Sequence, residues 1–381
     1  MLAVATLTAC NDSSDGSELP PQPTQKLDFS RFDAAWEKAV ADYNAQAAPD
    51  KQIAGASAVI VHEKLGAVHT RGYGAFAADR LYLIASASKI LSVGVLLRLA
   101  DQGKLDIDAP LERYVADWGQ TKASKLTVAQ LLSNSSGLPS LNEVSAAATD
   151  PQSPFFSNVC QYNDGTQLQD CAKILYATEP PRPADTMFAY GGSQWQLAGA
   201  IAERVSGQSW AELIDDTYVE PCDVPSLGYT NQYTRSGRTY PDYFMANEAN
   251  VPVTQNPSIE GGAYVTAPDY GKLLLMHLRG GRCGEARVLS EAAVTRMRTD
   301  RLKQYGGSTG QALTPGYGLG FWIDATGQVV TDPGAYGAYP LLDLQRRYGV
   351  FIAIELTAEV GVRLGSSVKP VLDQIFDEAK L

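Results

Sequence analysis

At 381 residues, 45% of them apolar, the chain can bury a sizeable core and fits two domains or one large domain with an insertion. Acidic residues outnumber basic ones 42 to 31, for a net charge of −11. With no basic block and no aromatic-basic interleaving, nucleic acid is excluded as a partner, and no apolar run reaches the length that spans a bilayer.

Taken in order, Met1-Leu-Ala-Val-Ala-Thr-Leu-Thr-Ala-Cys10 resembles the end of a bacterial lipoprotein signal, with Leu7-Thr-Ala-Cys10 in the lipobox pattern but no positively charged n-region. The resemblance implies a lipidated Cys10, and Asn11 after it favours the outer membrane; an ordinary short apolar start is the alternative. Residues 11–27, rich in Ser, Asp and Pro, read as a flexible tether. A domain at 28–381 follows.

Phe29, Phe32, Trp36 and Val40 predict an amphipathic helix to about Ala48, then Ile53–Val61 and Ala67–Gly74 a β-hairpin. The stretch Leu81–Gly103 is the centre of the chain. Ile90, Leu91, Val95, Leu96 and Leu99 recur at helical spacing, placing Ser86 in the first turn and Lys89 one turn on, on the same face. A hydroxyl beside a desolvated amine can act as nucleophile and base, and helix N-terminal amides can hold an oxyanion. Ser-x-x-Lys should occur about once by chance in a chain of this size. Indeed a second copy, Ser366-Ser-Val-Lys369, runs into Pro370 and the last helix-like segment.

Further on, Leu126–Leu132 reads as a short helix that Thr127 could cap, 140–185 as irregular, and Trp195–Val205 as a helix closed by Gly207. Strand patterns return at Leu319–Ile323, Gln328–Thr331 and Tyr348–Leu356, before a helix from Val368 to about Ala379. The fold class is therefore α/β (α+β), a mainly antiparallel sheet built from both chain ends and flanked by terminal helices. Its sheet part takes about 28–100 and 260–381, with a mostly helical part at about 101–259 inserted.

Apart from Cys10, the cysteines are Cys160, Cys171, Cys222 and Cys283. In an exported chain, order and proximity favour Cys160–Cys171 and Cys222–Cys283, contributing roughly 3 and 4 kcal/mol by loop closure, over four buried thiols. No Cys-x-x-Cys pair and no histidine near a cysteine suggests a metal, and no cofactor is called for.

The order of the blocks Ser86-x-x-Lys89, Gly103-Lys-Leu-Asp-Ile-Asp108, Leu131–Pro139, Tyr190 with Leu197–Gly207, Gly261–Asp269 and Tyr317–Trp322 resembles the serine β-lactamase-like and penicillin-binding-protein-like hydrolases. The resemblance is to the branch holding class C β-lactamases, D,D-peptidases and family VIII carboxylesterases. It implies Ser86 as nucleophile, with Lys89 and Tyr190 sharing the proton-transfer work and a phenol pKa lowered by the neighbouring ammonium. It also implies an oxyanion hole from the Ser86 and Ala335 amides, Ala335 following Asp332-Pro-Gly334 in the third-motif position. Gly192, Asp332, Gly334 and Tyr336 would line the substrate.

Two departures matter. Where the family's β-lactam and peptidoglycan enzymes carry a lysine or histidine and an asparagine, this chain has Asp332 and Gly192. An acid and a bare glycine weaken the grip on anionic substrates and shift the expectation towards a small-molecule ester, with β-lactam, D,D-peptide or another amide as the alternative. A non-catalytic surface lipoprotein binding peptidoglycan or a partner is the competing class. Gly306-Gly-Ser-Thr-Gly310 fits the Gly-x-Ser-x-Gly elbow but lacks its strand, its helix and a downstream histidine, since His62, His69 and His277 all precede Ser308. Oligomeric state is not legible.

Overall fold

Strands β1 (Gly55–His62) and β2 (Gly66–Gly74) form the predicted hairpin. The structure is a computed structural model and describes residues 27–231, 240, 244, 246–251, 253–312 and 314–381. Cys10, the leader and all of the tether except residue 27 lie outside the described residues, as does part of 232–252. Next come β3 (Leu81–Leu83), β4 (Gly228–Tyr229) and β5 (Ala263–Thr266), joined in a small sheet of order β3-β5-β4. After a ribbon of β6 (Arg282–Cys283) and β7 (Ala286–Arg287), the chain adds β8 (Gly316–Tyr317), β9 (Trp322–Ile323), β10 (Val329–Thr331), β11 (Tyr339–Asp343) and β12 (Tyr348–Ala353).

Seven strands make the main sheet in the order β2-β1-β12-β11-β10-β9-β8, every neighbour antiparallel. Both chain ends thus meet at the β1–β12 pairing, as the sequence implies. Alternation sorts the side chains. Ala56, Ala58 and Ile60 of β1 and Tyr348, Val350 and Ile352 of β12 face one layer, with Phe32 and Trp36 of the N-terminal helix (Ser30–Asn44) and Leu364, Leu372 and Phe376 of the closing helix (Ala358–Ala379). Val59, Val61, Phe351 and Ala353 face the other, with the helices Lys89–Asp101 and Ala267–Leu278. Burial on both faces explains why β1 reads as a continuous apolar run.

The sequence reading needs four corrections. The region 140–185 is not irregular throughout: Leu141–Ala147 is a helix opened by a reciprocal Ser140–Glu143 capping box, and Leu168–Ala177 is another. The strand expected at Leu319–Ile323 is the β8–β9 hairpin, turning through Gly320 at φ +80°. Strand β11 was hidden by Pro340, a residue that argues against an interior strand. Finally, the closing helix starts at Ala358 rather than Val368. Gly361 and Gly365, which look like helix breakers, let it lie close: a Cβ there would come 2.6 Å from the Gly337 carbonyl and 2.1 Å from the Tyr339 ring.

Both disulfides, Cys160–Cys171 and Cys222–Cys283, are formed. No helix among the described residues is long and apolar enough to cross a membrane.

Candidate active site

From β3 the chain enters a tight 3-10 turn, Ala85–Ser88, before the helix Lys89–Asp101 begins. Ala85 takes φ +46°, a conformation that costs a residue with a Cβ roughly 1–3 kcal/mol and is kept only where neighbours over-determine it. The neighbours are visible. Tyr270 Oη donates to Ala87 O at 2.9 Å, Ser88 Oγ to Ala85 O at 2.5 Å, and Ala263 N to Ser88 Oγ at 2.9 Å. Tyr229 Oη adds a bond to Ser88 O at 3.1 Å. This clamp leaves Ser86 part-exposed, with Lys89 fully buried behind it.

Lys89 Nζ donates to Ser86 Oγ at 3.2 Å and to Glu260 O at 3.0 Å, and its nitrogen sits 4.6 Å from the Tyr190 ring centre. The structure therefore brings together the three residues singled out from sequence. Tyr190 is placed by its own backbone: Leu141 N donates to Tyr190 O at 2.7 Å and Ala189 N to Asn134 O at 2.8 Å. Asn134, at φ +53°, accepts on its side chain from Gln194 and Trp195. The block Leu131–Pro139 thus serves as the socket for the tyrosine segment.

The predicted oxyanion amides lie on facing segments. Gly334 donates to Ala338 O at 2.8 Å, and a Cβ on it would stand 2.0 Å from Ile84 O, so only glycine lets this turn rest against the chain two residues before Ser86. Among the described residues, neither the Ser86 nor the Ala335 amide has a hydrogen-bond acceptor, which leaves both free for a substrate oxygen.

The predicted substrate-lining set sits differently. Asp332 and Tyr336 are fully buried, and Gly192 and Gly334 are buried too. Asp332 lies under the start of the nucleophile helix. Burial pushes its carboxyl well above the usual carboxylate range, against the pull of the Lys89 ammonium and of the Ile90 and Lys89 amides, neither of which closes a hydrogen bond to it.

Sequence reading missed Glu260. Its Oε2 stands 3.5 Å from Lys89 Nζ, both groups being almost wholly buried. The available signal was an acid directly before Gly261-Gly262, at the entry to the block Gly261–Asp269. Burial presses Lys89 towards its neutral form, but Tyr190, Glu260 and Asp332 outweigh it and raise its pKa above the ordinary lysine value. Burial raises Tyr190 as well. Lys89 pulls it down, yet Asp332 and Glu260 add to the rise, so the expected lowering of the phenol is reversed. The resting site holds an ammonium and a neutral phenol.

A cleft of about 420 Å³ opens beside Tyr190, lined by Met187, Phe188, Trp322 and Arg182 among others. Its cation is taken, because Arg182 is paired with Glu143. A larger groove, about 810 Å³ between Gln167, Glu203 and Trp210, includes none of Ser86, Lys89 and Tyr190 and is not the reaction site. Among the remaining candidates, Ser366 and Lys369 are engaged within the closing helix by Tyr339, Asp343 and Asp373. Ser308 sits in a loop with Pro315 O as acceptor; His62 stacks on Phe376, His69 meets Asp33, and His277 is buried.

A serine on a strained turn, a buried lysine one helical turn on and a tyrosine from the helical region, above an antiparallel sheet, match the arrangement expected of the β-lactamase-like serine hydrolases. The chain belongs to the beta-lactamase family, whose model matches residues 32–363. It is 25% identical over 219 residues to Protein flp of Staphylococcus aureus (strain N315), covering 54% of this chain and 40% of that one. It is likewise 25% identical over 255 residues to Penicillin-binding protein 4 of Amycolatopsis lactamdurans, covering 62% of each. The chain thus spans less than two thirds of the length of these curated relatives. Among solved structures, EstCE1, a hydrolase with promiscuous acyltransferase activity, shares the fold at a TM-score of 0.66 and 18% identity, over 89% of this chain and all of that one.

Proposed function

We propose that this protein hydrolyses carboxylic esters through an acyl-enzyme on Ser86. The carrying observation is an assembled Ser86–Lys89–Tyr190 site with no unpaired cation beside it among the described residues. Lys89 is held by Glu260, Arg182 by Glu143, and the third-motif position is a buried acid. Among these residues a substrate carboxylate would find no unpaired counter-charge, whereas a neutral ester needs none. Met187, Phe188 and Trp322 offer it an apolar wall.

In this reading Ser86 Oγ attacks the ester carbonyl once the Lys89–Tyr190 pair has lost one proton and can take another. The Ser86 and Ala335 amides hold the oxyanion. The pair then returns the proton to the departing alkoxide, and a water repeats the sequence on the acyl group, giving acid and alcohol. Two disulfides accord with the further proposal that the protein works outside the reducing cytosol, lipid-anchored through Cys10 at the outer membrane.

The test compares kcat/KM of the wild type and Ser86→Ala on p-nitrophenyl butyrate and on a chromogenic cephalosporin. Ester turnover that needs Ser86, with little cephalosporin cleavage, is expected. Efficient cephalosporin cleavage would move the assignment to β-lactam or peptide substrates, and the absence of any Ser86-dependent turnover would favour a binding protein.

A further inference from the structure

Position 192 has no side chain, but the space beside it is filled. A Cβ on Gly192 would lie 2.3 Å from Glu260 Oε1 and 2.2 Å from Gln161 Oε1. Glu260 reaches there from the turn before β5, which is fixed at several points. Ser92 Oγ, one turn beyond Lys89 on the nucleophile helix, donates to Ile259 O at 2.6 Å. Ile259 N donates to Gln196 Oε1 at 2.7 Å, and Gly262 N to Ser258 O at 2.7 Å. The turn is therefore tied to the helix that carries Lys89 and follows directly on the Ser86 turn.

The same residue touches the lysine twice. Its carbonyl accepts from Lys89 Nζ at 3.0 Å and its carboxylate stands 3.5 Å away, while the ammonium's bond to Ser86 Oγ is 3.2 Å. We propose that Glu260 is a positioning residue of the reaction: in the room left by glycine at 192, its carboxylate holds the Lys89 ammonium in register with Ser86 and supplies its counter-charge. This rests on acyl transfer through Ser86 and deepens that reading.

The groups facing Lys89 support the assignment. Tyr190 faces it from the tyrosine segment, Glu260 from the turn before β5 and Asp332 from the end of β10, with the Trp195 ring 5.5 Å away. Burial raises both Tyr190 and Asp332. Among the described residues, Glu260 is the acid whose carboxylate stands within ion-pair distance of the ammonium, at 3.5 Å. A buried ammonium without a counter-charge would surrender its proton or its position.

The experiment follows the rate at which a fluorophosphonate labels Ser86 as a function of pH, which needs no knowledge of the natural substrate. The variants are Glu260→Gln, Glu260→Asp and Gly192→Ala. In Glu260→Gln the alkaline plateau rate should fall about tenfold, and the acid limb should move to lower pH by on the order of one unit, because the ammonium loses its anion. Glu260→Asp should recover the position of the limb. Gly192→Ala, whose methyl would displace the carboxylate, should reproduce the glutamine profile, and the double variant should label no more slowly than either single one. It also reports on the site if Glu260→Gln does not fold. A folded Glu260→Gln or Gly192→Ala protein with the wild-type acid limb overturns the proposal. Failure of the parent reading looks different: the wild type would then take no label at Ser86.

Discussion

His277 lies in the helix Ala267–Leu278, fully buried, edge-on to Phe321 at 5.4 Å, and among the described residues neither ring nitrogen has a hydrogen-bond partner. Burial, helped by nearby Arg298, pushes its pKa from 6.5 down to about 3. The folded protein thus refuses a proton that the unfolded chain accepts once the pH drops below 6.5, so stability is lost as pH falls through that window. Each pH unit is worth about 1.4 kcal/mol, so at pH 4.5 the cost reaches about 3 kcal/mol. Replacing His277→Leu removes this titration and two unpaired nitrogens. We expect guanidinium unfolding at pH 8 to find the variant equal to or more stable than the wild type. The gap in its favour should widen by about 3 kcal/mol on going to pH 4.5, a difference in which the titration of all other groups cancels. Wild-type and variant stabilities that fall in parallel with pH would refute the reasoning.

Because burial favours the neutral form of the Asp332 carboxyl, Asp332→Asn should keep kcat/KM on p-nitrophenyl butyrate within about threefold of wild type; a loss beyond about tenfold, roughly 1.4 kcal/mol, would mean that its charge is needed. Since Lys89 and Tyr190 both carry raised pKa values, their shared proton is retained to higher pH, and kcat/KM should climb into the alkaline range, whereas an optimum below about pH 6 would contradict that ground state. Gly94→Ala would drive a methyl to 1.8 Å from Tyr218 Oη, whose bond to Leu91 O at 2.8 Å secures the nucleophile helix, and should cost about 2 kcal/mol in unfolding experiments; unchanged stability would show that Tyr218 moves aside freely.

What could be read from the sequence was whatever local order carries. Ser86 and Lys89 are one helical turn apart, so their meeting follows from geometry alone. The Thr127 cap, now seen with its reciprocal Gln130 partner, likewise needed only four residues of context. Tyr190 came from the order of blocks, not from any spacing rule. The misses share a different cause. Glu260 meets Lys89 across 171 residues, through the pairing of β3 with β5, and no local pattern announces that contact. Asp332 was placed on the pocket wall because its motif position lines substrate in related enzymes, yet here its side chain turns beneath the helix start. Direction along a strand end is decided by packing, which motif position does not record.

These two acids change what the glycine at 192 means. Considered alone, Gly192 is a lost hydrogen-bonding group and suggests a weakened site. Considered with Glu260 and Gln161, whose oxygens crowd the place of its missing Cβ, it is the condition for another side chain to enter. An asparagine restored at 192 could not sit beside Glu260 without expelling it, so the residue that would grip an amide and the residue that charges the lysine exclude one another. On the reading proposed here, the exchange gives up an acyl-amide contact and keeps the proton machinery, a trade that costs a β-lactam substrate more than a simple ester, because the ester has no amide to be held.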